Sequence, residues 1–142
     1  PFQLPFHGAF HTPLLDSLSN QAKGILSESI FQKPSIPLID GQGKIWSPYS
    51  TNISELYNYT LGHQVTKTYD FSTAVKVAIK EYCPDKLVLL GPGNTLGGSI
   101  GQIMIQNNWL DINSKSAFSS RQKQNPYLIS MGMDDQREIV SK

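Results

Sequence analysis

The sequence predicts an α/β fold of parallel strands flanked by helices, and three observations carry that expectation. Leu87-Val88-Leu89-Leu90 is a continuous apolar run, the pattern of a strand in a sheet covered on both faces. Leu14, Leu15, Leu18, Ala22, Ile25 and Leu26 recur at helical spacing and give one apolar face. From residue 36 onward, strand-like and helix-like segments follow one another in the order that builds a parallel sheet.

Each element has a local cause. Two prolines and a glycine leave no room for a helix over residues 2–10, which read as extended. Thr12 is a good N-cap and Pro13 suits the first helical position, so a helix is expected from there to about residues 27–29. Ile36-Pro37-Leu38-Ile39 reads as a short strand with Pro37 at its start or on an edge, followed by Asp40-Gly41 and a loop through Pro48. Asn52 can cap a helix running through Leu61. Asp70 caps a clearer one, with Phe71, Val75, Ala78, Ile79 and Tyr82 on one face and Pro84 as its stop. After the strand at 86–90, Gly91-Pro92-Gly93 turns the chain. Asn94 can then cap a helix bearing Leu96, Ile100, Ile103 and Met104. Beyond Trp109 the sequence is polar and irregular, with Tyr127-Leu128-Ile129-Ser130-Met131 as a last strand. Residues 1–110 therefore read as the core and 111–142 as a polar C-terminal extension.

Composition narrows the class. With 142 residues, 39% hydrophobic and 16% charged, the chain can bury a core and is not of disordered composition. A formal net charge of +1 supplies no global field for nucleic acid or an anionic membrane. Cys83 is the one cysteine, so no internal disulfide can form, which suits a reducing cytoplasm. The sequons at Asn52 and Asn58 are short patterns that arise by chance. Pro1 opens directly into Phe2, Leu4 and Phe6, which reads as a chain cut inside a longer protein.

The segment Gly8-Ala9-Phe10-His11-Thr12-Pro13-Leu14-Leu15 places a histidine between an extended stretch and a helix start. Such junctions hold site residues at the edge of a rigid scaffold, and imidazole can take a proton from a nucleophile and return it. The competing reading is a histidine that makes local hydrogen bonds at a helix start.

GAFHTPLL resembles the second catalytic motif of the malonyl-CoA:acyl carrier protein transacylases and of the acyltransferase domains of fatty acid and polyketide synthases. Further likenesses follow in order: Pro34-Ser35-Ile36-Pro37-Leu38-Ile39 as the next strand, Gln64 with Phe71 seven residues later, and Leu89-Leu90-Gly91-Pro92-Gly93-Asn94-Thr95-Leu96 as a strand–GPG–helix. The resemblance covers about residues 4–108 and implies the C-terminal half of an α/β-hydrolase-like acyltransferase core.

What it implies chemically is a ping-pong transfer. A serine attacks the coenzyme A thioester, and the phosphopantetheine thiol of an acyl carrier protein then takes the acyl group. His11 would be the general base, oriented by the main-chain carbonyl at Gln64. Phe10 would contact the acyl group and, by crowding an α-methyl, favour malonyl. No bound cofactor is implied: coenzyme A arrives as part of the substrate and phosphopantetheine on the partner. The sequence departs from the family in lacking GHSxG, the oxyanion glutamine segment and the carboxylate-binding arginine. All three precede the histidine motif in the family's chain order, so an N-terminal half, or another chain, must supply them. Asp40 also stands where the family often has asparagine. A Ser–His thioesterase and a non-catalytic docking or structural module remain the alternatives.

Other motifs are decoys. Gly97-Gly98-Ser99-Ile100-Gly101 matches GxSxG, but Ser99 falls inside an expected helix rather than on a strand-to-helix elbow, so the glycines read as helix-packing positions. His7 and His11 stand four apart without a helix or a third ligand, so no metal is expected. His63 either lines the region of Gln64 or faces solvent. Trp46 and Trp109 read as packing residues, and Lys115, Arg121 and Lys123 as a solvated cluster within reach of an acidic carrier protein.

Overall fold

The computed structural model describes residues 8–91 and 93–140. The readings of Phe2, Leu4, Phe6, His7 and Pro92 lie outside the described residues. The chain mixes helices and short strands and contains a small parallel sheet. It divides into two compact units, Pro1–Ala74 and Val75–Lys142, with the boundary inside a helix.

The first unit opens with a 3-10 turn, Pro13–Leu15, before α1 (Asp16–Ile25). Thr12 does not cap it. Its backbone is extended, and its hydroxyl donates back to the Ala9 carbonyl at 2.7 Å. Much of the expected apolar face of α1 is exposed, with Leu14 and Ile25 each 81% exposed and Leu15 and Ala22 half-buried, while Ser19 is buried. Polar contacts set the rotation of the helix: the Ser19 hydroxyl donates to the Leu61 carbonyl at 2.5 Å, and Lys23 Nζ donates to Asn58 at 3.3 Å. The Tyr57 hydroxyl lies 2.9 Å from the carbonyls of Lys23 and Leu26, two of the acceptors that a helix C-terminus leaves unpaired.

A hairpin follows, with β1 (Leu38–Ile39) antiparallel to β2 (Ile45–Trp46), pairing Leu38 with Trp46. Pro37 stands just before β1, where its missing N–H costs no ladder bond. The loop expected through Pro48 thus contains a second strand. Asp40 holds the turn together. Its Oδ1 accepts the N–H groups of Gln42 at 2.8 Å and Lys44 at 2.9 Å, and its Oδ2 accepts the Trp46 indole N–H at 3.0 Å. Trp46, Leu56 and Tyr59 form a buried cluster with Phe31 packed against it. Burying side chains of this size stabilises by about 1.5–3 kcal/mol each.

Helix α2 (Ile53–Asn58) starts at Asn52, whose side chain accepts the Glu55 N–H at 3.2 Å. It continues through a π-helical turn, Tyr59–His63, into α3 (Gln64–Thr66). Asp70 then begins α4 (Phe71–Tyr82) by accepting the Thr73 N–H at 2.9 Å, and Pro84 lies just past the helix end.

In the second unit β3 (Leu87–Leu89) pairs in parallel with β4 (Leu128–Ser130), Leu87 opposite Leu128. The crossover a parallel pair requires is made by α5 (Leu96–Gln106) and α6 (Lys115–Gln124), and α7 (Asp134–Val140) follows β4. The last strand expected over residues 127–131 is β4, and two helices flank it where the sequence reads as irregular. The core is Ile79, Ile103, Met104, Tyr127 and Ile129, all nearly inaccessible. Contrary to expectation β3 is not covered on both faces, since Val88 is 43% exposed; the strand buried throughout is β4.

Gln122 on α6 completes the outer edge of β4. Its Oε1 accepts the N–H groups of Tyr127 and Leu128 at 3.0 Å, and its Nε2 donates to the Leu128 carbonyl at 2.7 Å. Gln136 of α7 accepts the Ser130 N–H at 2.8 Å. Asn94 does not cap α5 with its side chain; its carbonyl accepts the Gly97 N–H at 3.0 Å, and Thr95 precedes the helix without a side-chain cap. Of the three glycines read as packing positions, Gly101 fits that role, because a Cβ there would meet the Phe118 ring at 3.0 Å. Gly98 has open space around it. Among the described residues no helix is long and apolar enough to cross a membrane.

Candidate functional site

His11 is held in the first unit by the end of α3. A helix leaves its last carbonyls without intrahelical partners, and this one stops at Thr66 because Lys67 turns extended. The Val65 carbonyl accepts the His11 backbone N–H at 2.8 Å, and the Gln64 carbonyl accepts from His11 Nδ1 at 2.5 Å. Two consecutive helix-end acceptors thus bind the main chain and the ring of one residue. His11 adopts φ 63°, in the left-handed region, where non-glycine residues persist only when surrounding contacts fix them.

The pairing has a chemical consequence. A carbonyl oxygen can only accept, so Nδ1 carries the proton and the neutral ring keeps its lone pair on Nε2. The partial negative charge of a helix C-terminus lies beside the ring. This is the tautomer that a general base requires, with one nitrogen anchored and the other able to accept a proton.

The π-helical turn prepares these acceptors. A π turn breaks the regular i to i−4 ladder, and such turns concentrate at functional sites. Here the Leu61 carbonyl takes the Ser19 hydroxyl, and the Thr66 hydroxyl donates to the Gly62 carbonyl at 3.2 Å. Gly62 is buried within the turn, and a Cβ there would meet Lys23 Nζ at 2.8 Å. Helix α1 is thereby fastened to the segment that leads into Gln64.

The other predicted residues are placed as follows. Phe10 precedes His11 and is 62% exposed. His63 does not join the His11 contacts; it stacks on Tyr59, with ring centroids 5.7 Å apart, and lines a groove with Lys44 and Glu55. Ser99 is an exposed residue inside α5, and Lys115, Arg121 and Lys123 are exposed on α6. Trp46 is core, and Asp40 is committed to the hairpin turn. Among the described residues no group of three His, Cys, Asp or Glu side chains is arranged to hold a metal ion.

Sequence reasoning missed Tyr69, whose ring lies 5.5 Å from that of His11 at 46°. A pocket of about 260 Å3 is lined by Gln64 and Tyr69 together with Leu38, Ile39, Tyr59 and Thr60. Burial raises the Tyr69 phenol above its ordinary value, with the charge of Asp40 acting in the same direction. Burial likewise raises Tyr59, whose hydroxyl accepts the Gly41 N–H at 2.8 Å. No sequence signal marked Tyr69, since an aromatic on the exit from a short helix matches many packing roles. The chain matches no protein-family model, no curated protein and no solved structure.

Proposed function

We propose that this chain supplies the catalytic histidine of a Ser–His acyltransferase. It would move a malonyl-type group from coenzyme A to the phosphopantetheine thiol of an acyl carrier protein. The observation that carries the reading is the bond from His11 Nδ1 to the Gln64 carbonyl, which leaves Nε2 as the basic nitrogen. A main-chain carbonyl in the position of a triad acid is also what the resemblance implies. It orients the ring and sets its tautomer without adding a full charge.

In this mechanism His11 Nε2 takes the proton from a serine hydroxyl as that oxygen attacks the thioester carbonyl. It returns the proton to the departing coenzyme A thiolate. The same nitrogen then deprotonates the carrier-protein thiol, which attacks the acyl-serine, and reprotonates the serine as it leaves. Phe10, beside the base, would contact the acyl group. In this reading the serine, on a GHSxG elbow, the oxyanion donors and the carboxylate-binding arginine would be supplied by other residues, in an α/β-hydrolase-like core that this chain would complete. The site of action is proposed as the cytoplasm.

The test uses the chain joined to the GHSxG-bearing segment of its own reading frame, assayed with malonyl-CoA and an acyl carrier protein. His11→Ala should lower transfer by about two to four orders of magnitude, the range for loss of a general base. Near-normal transfer by that variant sinks the assignment. Release of free malonate in place of an acylated carrier protein would assign the same machinery to a thioesterase.

A further inference from the structure

We propose that Tyr69 is a positioning residue for His11, and that the β1–β2 hairpin holds it in place through Gly41. The inference rests on the reading of His11 as a base. The Gln64 bond orients the ring while it lasts, but rotation about the side-chain torsions can break it, and a ring that rotates away carries Nε2 off a fixed nucleophile. A contact against the ring restricts that rotation, and the Tyr69 ring, centroids 5.5 Å apart and tilted 46°, provides one.

Tyr69 is itself constrained. A Cβ at position 41 would stand 2.3 Å from Cδ2 of the Tyr69 ring, so Gly41 is required there for space and not for backbone conformation. The Asp70 N–H donates to the Gly41 carbonyl at 2.9 Å, and the Gly41 N–H donates to the Tyr59 hydroxyl at 2.8 Å. Gly41 adjoins Asp40, whose carboxylate ties the hairpin turn to Trp46 in the core cluster. A continuous set of contacts therefore runs from the buried cluster through the hairpin turn and Tyr69 to the ring of His11. Residues 64–69 supply both of its supports, the Gln64 carbonyl at one end and the aromatic ring at the other.

The first measurement is made on this chain, labelled with 15N, by two-bond proton–nitrogen correlation of the imidazoles, with folding checked by circular dichroism. The wild type should show the Nδ1–H tautomer for His11 and a nuclear Overhauser contact between the His11 and Tyr69 rings. Tyr69→Phe should retain both. Tyr69→Ala should move His11 to the mixed tautomers of free imidazole, and so should Gly41→Ala, which displaces the ring without removing it. An unchanged His11 pattern in folded Tyr69→Ala or Gly41→Ala overturns the proposal. If neither variant folds, absence of the inter-ring contact in the wild type overturns it and its presence supports it.

In the protein joined to its GHSxG segment, Tyr69→Ala should lower kcat about tenfold to a hundredfold with little change in KM, and Tyr69→Phe should restore it. A tautomer that responds to Tyr69 in a protein with no transfer activity keeps the positioning role and removes the acyltransferase reading. Transfer unaffected by Tyr69→Ala does the reverse.

Discussion

In the first unit Ser19 and His11 reach main-chain carbonyls of an irregular helix, whereas in the second Gln122 and Gln136 complete the edge of a regular strand. Both arrangements satisfy buried backbone groups, as any stable fold must. They differ in what is left over. Gln122 spends its amide on three strand contacts. His11 spends one ring nitrogen on Gln64 and keeps the other. The same physical requirement yields a structural residue in one place and a candidate base in the other.

The sharpest way to break this contrast is His11→Ala in the joined protein, where transfer should fall by about two to four orders of magnitude while the second unit keeps its stability. Amide exchange across β3 and β4 reads the second half of that statement. Next comes Gln122→Ala, which removes the partner of the N–H groups of nearly inaccessible Tyr127 and Leu128 and of the Leu128 carbonyl. It should cost about 2–4 kcal/mol in denaturant unfolding, with the His11 imidazole signals unchanged. Ser19→Ala exposes the weaker end of the first unit. Losing one hydroxyl bond to the Leu61 carbonyl should cost about 1 kcal/mol, measured by the same denaturation.

The smallest effect is an alkaline one shared by both units. Desolvation raises the phenols of Tyr59, Tyr69 and Tyr127 in the folded chain, with lesser contributions from neighbouring charges and hydrogen bonds. The folded state therefore holds these protons longer than the unfolded one. Stability from this source is complete below the unfolded value near 10 and declines as pH rises through the folded values. Urea midpoints measured between about pH 9 and pH 11 should fall only in the upper part of that range. Tyr127→Phe should remove the second unit's share, and an unaltered alkaline profile in that variant would contradict its assignment.

Legibility in the sequence followed signal strength. Helix α4 was readable because Asp70 and Pro84 bracket an unbroken periodic run, and β3 because Leu87, Val88 and Leu89 are contiguous. Helix α6 was not, because Lys115–Gln124 contains only Ala117 and Phe118 as apolar residues and its anchor is the amide of Gln122. The apolar positions of α1 were visible, but the exposure of most of them depends on Ser19 meeting a carbonyl 42 residues away. The partner strand β2 escaped because two residues carry no period. At the site, the nearness of His11 and Gln64 across 53 residues came from motif order and from no local pattern. Tyr69 could not be found at all, since its importance lies in a glycine that must have no side chain beneath it.

The glutamines along β4 have one more consequence, for assembly. In a parallel ladder alternate residues turn their main-chain groups to opposite sides, and on the side of β4 away from β3 these groups are already taken by Gln122 and Gln136. That margin offers no template to an incoming strand and is guarded against edge-to-edge aggregation. Neither glutamine reaches the far side of β3. Of the two strands, β4 is therefore the one whose outer margin is closed to edge pairing by side chains of its own unit.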